Sequence, residues 1–174
     1  MLSAGILLQG MDTPFKAQSH EALTLVVWPD NNPLFTDSLA HLIAETNIKN
    51  RVENFLFVNF CIDNLIYFIH DAWLENLNKT GLKVVLISDR FMHSLAMYWH
   101  KKQKDIILLS AGDSDLTSFV SALNSLSSGQ SVMLKDVMPV TEKEIFVLRK
   151  RLSGMSVRHI AMILNCSIKS IYYC

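Results

Sequence analysis

Four short apolar runs, separated by amphipathic segments, dominate the first three quarters of the chain. The runs cover residues 23–28, 54–60, 82–88 and 105–110, and nearly every position in each of them is apolar. Such runs are typical of strands that are buried on both faces. Their alternation with helical segments predicts an α/β fold, with a mostly parallel four-stranded sheet and helices on both faces.

Helices are predicted between and after these strands because apolar residues recur there at spacings of three and four. Thr36 or Asp37 is expected to cap the first helix, which ends before Asn47. Asp63 is interpreted mainly as the cap of the second helical segment. The later helical segments are predicted over residues 65–77, 91–100 and 113–126.

The last stretch, residues 141–174, has a pattern that predicts two short helices and the opening of a third. Thr141 followed by Glu144 is a capping box, so the first of these helices begins near Glu142. One face of this helix is expected to carry an apolar stripe of Ile145, Leu148 and Leu152.

The turns of this stretch are marked by residues that end one helix and cap the next. Gly154 supplies a left-handed position, Ser156 caps the second helix, and Ser167 caps the third after a break at residues 165–166. The small side chain of Ala161 allows the helices to cross closely. This arrangement predicts a helix-turn-helix, and the alternative is a helical hairpin that completes the core of the preceding domain.

The charge distribution favours the helix-turn-helix. From residue 141 onward there are six Lys or Arg residues against two acids, whereas the first 140 residues hold ten against fourteen. The zero net charge of the chain therefore hides a basic end, and a basic end is the electrostatic footprint expected of a protein that binds the phosphate backbone of DNA.

The boundaries follow from these patterns. Residues 1–20 are expected to be a loosely held extension, or alternatively to donate an edge strand. An α/β domain is predicted over residues 21–128, a linker over 129–140, and the helix-turn-helix over 141–174.

Composition argues against several other classes of protein. Half of the residues are apolar, which is enough for one good core, but no apolar run is long enough to cross a bilayer. The three cysteines and six histidines share no spacing typical of a disulfide framework or a metal site. There is no nucleophile elbow and no phosphate-binding glycine loop, so we expect a soluble cytoplasmic protein that is not an enzyme and needs no cofactor.

The basic end resembles the helix-turn-helix of the LuxR-type (GerE-like) bacterial transcription regulators. The resemblance rests on Thr141-x-x-Glu144, Ser156-x-x-x-Ile160-Ala161-x-x-Leu164 and Cys166-Ser-x-Lys-Ser-Ile171. It implies that Arg158, Lys169 and Ser170 contact phosphates and that Tyr172 and Tyr173 face the groove of double-stranded promoter DNA, although the tyrosines have the alternative of packing on the domain's own surface. Compared with that family, the unit is expected to be truncated, because the sequence ends at Cys174, early in the recognition helix.

The α/β domain resembles a shortened receiver (flavodoxin-like) domain of a response regulator. The resemblance implies a pocket at Asp30, Asn59, Asp63 and Ser88. Asn59 stands where a receiver carries the phosphate-accepting Asp, and an amide is a poor nucleophile. We therefore expect a degenerate receiver that works without phosphorylation, with Asp63 as a less favoured displaced acceptor.

Over residues 30–174 the chain resembles enterobacterial regulators of fimbrial and common-pilus operons, through Phe55-Leu-Phe-Val-Asn59, Val84-Val-Leu-Ile87 and Leu95-Ala-x-Tyr-Trp99. The resemblance implies a DNA-binding transcriptional regulator, an activator of a fimbrial or adhesin operon, acting as a homodimer or as a heterodimer with a related regulator. Two alternatives remain open: an interaction module that pairs with another regulator without binding DNA itself, and a small-molecule sensor.

Overall fold

A five-stranded sheet lies at the centre of the computed structural model, which describes residues 18–20, 23–111, 115–128 and 137–173. The strands are β1 (Gln18–His20), β2 (Leu23–Trp28), β3 (Phe55–Phe60), β4 (Lys83–Ser88) and β5 (Ile107–Ser110), and they are neighbours in that order. The strands β2 to β5 are parallel, as predicted, and β1 pairs antiparallel with β2. Residues 18–20 thus donate an edge strand, the alternative considered for the amino-terminal segment, and residues 1–17 lie outside the described part.

The parallel strands correspond to a flavodoxin-like sheet that lacks its second strand. The flavodoxin-like fold has the strand order 2-1-3-4-5 in its own numbering. Here β2, β3, β4 and β5 correspond to its strands 1, 3, 4 and 5, and its strand 2 has no counterpart. A 3-10 helix over Asn47–Asn54 occupies the chain where another strand and helix would be needed. The prediction of a shortened receiver-like fold is confirmed, and β1 covers the edge that the missing strand would have paired.

Eight α-helices accompany the sheet in the described residues. They are α1 (Pro33–Ala44), α2 (Leu65–Phe68), α3 (Ala72–Asn78), α4 (His93–Lys102), α5 (Leu116–Ser128), α6 (Glu142–Leu152), α7 (Val157–Ile163) and α8 (Ile168–Tyr172). A short 3-10 helix, Ile62–Asn64, leads into α2. Residues 112–114, which include the predicted start of the fourth helix at residue 113, and residues 129–136, in the predicted linker, lie outside the described residues.

Two apolar cores cover the two faces of the sheet. Alternate strand residues point to opposite faces, so Leu56 and Val58 belong to one core and Phe55 and Phe57 to the other. The first core is packed by α2, α3 and α4 and contains most of the buried aromatic rings: Trp28, Phe60, Phe68, Trp73, Tyr98 and Trp99. The second core is packed by α1, the 3-10 helix over 47–54, and α5.

Two predicted helix caps are wrong. The side chain of Asn32 caps α1, because its Oδ1 accepts a hydrogen bond from the N–H of Phe35 at 3.1 Å and Pro33 fits the first helical position. Thr36 is buried inside that helix, and Asp37 follows it. Asp63 lies within the 3-10 turn Ile62–Asn64, and neither this turn nor α2 has a side-chain cap.

Candidate nucleic-acid interface

Three side-chain caps build the helical unit, the name used here for residues 141–173. Thr141 Oγ1 accepts from the N–H of Glu144 at 3.2 Å, and Glu144 Oε2 accepts from the N–H of Thr141 at 2.6 Å, which confirms the predicted capping box. Ser156 Oγ accepts from the N–H of His159, and Ser167 Oγ accepts from the N–H of Ser170. Each helix therefore begins where the sequence predicts.

The two turns of the helical unit share one hydrogen-bond pattern. Gly154 has φ +86° and Asn165 has φ +47°, both in the left-handed region. The N–H of the next residue then reaches back five positions, from Met155 to the carbonyl of Lys150 and from Cys166 to that of Ala161. This is the hydrogen-bond pattern of a Schellman motif, and it fixes the angle between successive helices.

The first helix of the unit, α6, has two buried faces rather than the single predicted stripe. Val147 packs with Ile160, Ala161 and Ile171 in a small core of the helical unit. Ile145 belongs instead to the aromatic core of the α/β domain. Of the predicted stripe, Leu148 is half-buried and Leu152 is 45% exposed, so that part of the prediction is wrong. The reason is that α6 contacts two partners, which the residue spacing cannot show.

Polar contacts hold α6 against the α/β domain. Tyr98 donates a hydrogen bond to Glu142 at 2.8 Å, and the Arg149 guanidinium donates to the carbonyl of Ile69 and lies 3.4 Å from Asp71. Lys102 donates to the same Asp71 carboxylate at 3.0 Å. Burial, together with the bond to Glu142, raises the pKa of Tyr98. The helical unit is therefore anchored to the domain that precedes it.

The residues predicted to contact DNA lie on the outside of α7 and α8. Arg158 and Lys169 are exposed, whereas Ser170 is half-buried and bonded to the cap residue Ser167. The rings of Tyr172 and Tyr173 are 74% and 80% exposed. The tyrosines therefore do not pack on the unit's own surface, and Lys169 Nζ lies 5.9 Å from the ring centre of Tyr173.

The positive surface of the helical unit is smaller than its sequence suggests. Arg149, one of the six basic residues counted there, is turned towards the α/β domain and binds Asp71. The other five are Lys143, Lys150, Arg151, Arg158 and Lys169, of which only Lys150 is half-buried and the rest are exposed. These five side chains are the ones available to phosphate groups.

The four residues of the expected receiver pocket do not converge on one face of the sheet. Asn59 shares a strand face with Phe57, and its register partner is Ile87, so it lies towards the core packed by α1 and α5. Ser88 lies on the other face, where its Oγ is 2.9 Å from Nδ1 of the buried His93. Asp30 and Asp63 lie in the loops after β2 and β3, where Asp63 is exposed.

Asparagine and aspartate side chains tie these loops together, and sequence reasoning did not predict these ties. Asn31 Nδ2 donates to Asn64 Oδ1 at 2.7 Å, and Asn64 Nδ2 donates to the carbonyl of Asn59 at 3.0 Å. Asp89 accepts from the N–H of Ile62 at 2.9 Å and from the N–H of Met92 at 2.8 Å. Their only sequence signal is a polar residue just after a strand, which many loops share.

The chemistry of this edge differs from that of a working receiver. Asn59 is buried, and its Nδ2 has no hydrogen-bond acceptor among the described residues. A neutral amide in that position cannot accept a phosphoryl group as a carboxylate does. Within the described residues, no group of three or more His, Cys, Asp or Glu side chains is placed to hold a metal ion.

Fold and loops together define a receiver-like α/β domain with an altered strand-end site, followed by a capped three-helix unit. A family model described as the EcpR N-terminal domain matches residues 10–127. The chain belongs to the EcpR N-terminal domain family, and this membership supports a role related to regulation.

The chain was also compared with individual proteins and with solved structures. The uncharacterized protein YqeH of Escherichia coli (strain K12) is 29% identical over 146 residues, which cover 84% of this chain and 70% of that protein. No solved structure matches. Among the described residues, no helix is both long enough and apolar enough to span a membrane.

Proposed function

We propose that this chain is a DNA-binding transcriptional regulator that acts without phosphorylation of its receiver-like domain. In this proposal the helical unit is a LuxR-type helix-turn-helix, and α8 enters the major groove of double-stranded promoter DNA. The observation that carries the proposal is the shape of the unit: two left-handed turns with the same hydrogen-bond pattern, three side-chain caps, and exposed Lys169, Tyr172 and Tyr173 on and directly after the third helix.

Charge and exposure support this assignment. Of the five basic side chains available on the helical unit, four are exposed and one is half-buried. The unit has only two acidic side chains: Glu142 accepts a hydrogen bond from Tyr98, and Glu144 accepts one in the capping box. Basic side chains that neutralise phosphates supply most of the sequence-independent part of DNA affinity. Arg158 and Lys169 are assigned to phosphates, with Ser170 beside them, and Tyr172 and Tyr173 to the groove.

The same proposal includes the target class that the sequence resemblance implies, a fimbrial or adhesin operon that the regulator activates. The buried Asn59 amide supports independence from phosphorylation, since this edge of the sheet offers no carboxylate in the acceptor position. Transcript levels of pilus operons, measured with and without the intact gene, test the target. Unchanged transcripts would reject the operon but leave DNA binding as a separate question.

The test of DNA binding is the fluorescence anisotropy of a labelled duplex enriched from a random library, measured over a series of salt concentrations. We expect Lys169→Ala to weaken binding by a similar factor on specific and unrelated duplexes, and to reduce the magnitude of the slope of log K against log salt by about 1. The matched control is Lys49→Ala, an exposed lysine of the α/β domain. A folded protein with no salt-dependent binding at low salt would refute the proposal.

A further inference from the structure

Large exposed apolar side chains of the α/β domain lie at one end of its sheet. Among the described residues they all follow the carboxyl ends of the four parallel strands: Leu34 after β2, Ile62 and Ile66 after β3, Phe91 after β4, and Leu116 after β5. Leu34, Phe91 and Leu116 are 79%, 66% and 64% exposed. We call these five residues the apolar rim. A set of exposed apolar residues at one end of a domain is typical of an interaction surface.

The loops that carry the apolar rim are held in place before any partner arrives. The bond between Asn31 and Asn64 joins the loops after β2 and β3, and Asp89 joins the loop after β4 to the N–H of Ile62. Asp89 also accepts from Met92, the residue next to Phe91. A surface that is ordered in advance loses less conformational entropy when it binds.

The charges around the apolar rim are mostly negative. Among the residues that the structure describes, five aspartates lie in the same loops and first helical turns, against one arginine, Arg90: they are Asp30, Asp37, Asp63, Asp89 and Asp115. The described lysines of the α/β domain lie at the other end, next to the amino ends of the strands, at positions 49, 79, 83, 101, 102 and 104. Glu45, Glu53 and Asp105 lie at that other end too, so negative charge predominates at the apolar end and positive charge at the other.

The helical unit extends the basic end. Helix α4 runs from the carboxyl ends of the strands towards their amino ends, and contacts follow it in order: Val140 bonds to Ser94, then Glu142 to Tyr98. Farther along, Arg149 and Lys102 share Asp71. Because α6 runs alongside α4 in the same direction, Val147, where α7 and α8 pack on α6, lies farther from the carboxyl ends of the strands than Glu142 does.

The outside of α7 and α8 is apolar as well as basic. Its exposed apolar side chains are Met162, Ile163, Ile168, Tyr172 and Tyr173, and Arg158 and Lys169 lie among them. We call this the basic helical surface. It has the opposite charge to the apolar rim and lies on different helices.

We infer that the apolar rim of one copy of this chain binds the basic helical surface of a second copy. An isologous contact of rim with rim would place aspartates against aspartates, whereas rim against helical surface pairs opposite charges around apolar anchors. The two surfaces are different parts of the chain, so the contact is head-to-tail. Such heterologous contacts continue from copy to copy unless the rotation closes a ring.

The test is sedimentation velocity of the whole chain without DNA, over a wide range of concentration and at low and high salt. We expect the average mass to rise with concentration beyond that of a dimer, and the association to weaken at high salt. Because no DNA is present, this outcome is independent of whether the chain binds promoters.

Two variants separate the surfaces. Phe91→Lys in the apolar rim and Met162→Glu in the basic helical surface should each weaken self-association at least tenfold, because each adds a like charge at the contact. An equal mixture of the two should associate more strongly than either variant alone, since each mixed pair can join one intact rim to one intact helical surface. Both side chains are exposed, so both variants should fold, which circular dichroism checks.

A matched charge pair provides the control. Asp63→Lys follows β3 within the acidic end and should weaken association, whereas Glu53→Lys precedes the same strand and should not. A wild-type chain that stays monomeric at all concentrations, or two variants that fail to complement each other, would overturn the inference. Association that Phe91→Lys leaves unchanged would assign the contact to another surface and overturn it equally.

Discussion

Asn59 shows how one residue type separates this domain from a phosphorylated receiver. The side chain is 4% exposed, and its Nδ2 has no acceptor among the described residues. An unpaired buried donor costs free energy, and an apolar side chain of similar size does not incur that cost. The amide therefore does not optimise stability, and a carboxylate in its place would be buried with no basic partner in the sequence after β5.

We expect Asn59→Asp to lower the free energy of unfolding by roughly 2–4 kcal/mol near neutral pH, because a carboxylate is costly to bury without a partner. Burial raises the folded-state pKa of the new carboxyl group above its unfolded value. The loss should therefore be small below the unfolded-state pKa of about 3.9, grow as pH rises from there to the folded-state pKa, and stay constant above it. Urea denaturation at two pH values measures it.

Asn59→Leu is the matched control for that substitution. We expect it to change the free energy of unfolding by less than about 1 kcal/mol, with no dependence on pH. Equal destabilisation by Asp and by Leu would show that shape, rather than charge, decides what this position accepts.

At the scale of single elements, the turns of the helical unit depend on backbone conformation more than on packing. Gly154 has φ +86°, and a Cβ added there would have no heavy atom within 4 Å. The glycine is therefore needed for its left-handed conformation and not for space. Asn165 performs the same task at the second turn, and asparagine is the residue other than glycine that tolerates it best.

Gly154→Ala should lower the free energy of unfolding of the helical unit by about 1 kcal/mol, since alanine adopts the left-handed region at that cost. Gly154→Asn should lower it by less. Thermal unfolding followed by circular dichroism measures both variants. A loss that is the same for Ala and Asn would mean that the turn does not stay left-handed in the variants.

At the scale of the whole molecule, α6 joins the two parts of the chain. Its Ile145 enters the core of the α/β domain while its Val147 enters the core of the helical unit. Arg149 adds hydrogen bonds to Ile69 and Asp71, and burial together with the nearby Arg149 charge lowers the pKa of His70. The imidazole of His70 therefore reports whether α6 is docked.

Replacing Arg149 with Met should loosen this docking. We expect amide hydrogen exchange to speed up in α6 while the amides of β3 and β4 keep their protection, because the α/β core remains intact. We also expect the pKa of His70 to rise towards its ordinary value, since one positive neighbour is lost. A His residue with a lowered pKa costs stability as pH falls through that range, so this cost should shrink in the variant.

Arg151→Met on the same helix is the control, because the Arg151 side chain bonds to Met155 inside the helical unit. NMR titration of His70 and hydrogen exchange by mass spectrometry supply the two readouts. If Arg149→Met and Arg151→Met gave the same exchange pattern, the contact with Ile69 and Asp71 would not be what holds α6.

The sequence alone determined the elements and much of their detail. Continuous apolar runs specify buried strands, and the boundaries of α6, α7 and α8 follow from local chemistry: the hydroxyls of Thr141, Ser156 and Ser167 bond within one helical turn. A side-chain cap bonds to a backbone N–H only two or three residues away, so neighbouring residues in the sequence are enough to predict it. The prediction for the cap of α1 was wrong because Asn32, Thr36 and Asp37 lie close together and all have side chains that can cap a helix.

Only the tertiary structure decided which elements meet. Strand alternation separates Asn59 from Ser88 although both stand near strand ends, and α6 divides its apolar residues between two cores. The gathering of Leu34, Ile62, Ile66, Phe91 and Leu116 at one end of the sheet also needed the fold, because these residues are far apart along the chain. Such proximity depends on strand order and on long-range packing, whereas the residue pattern records only local preference and burial.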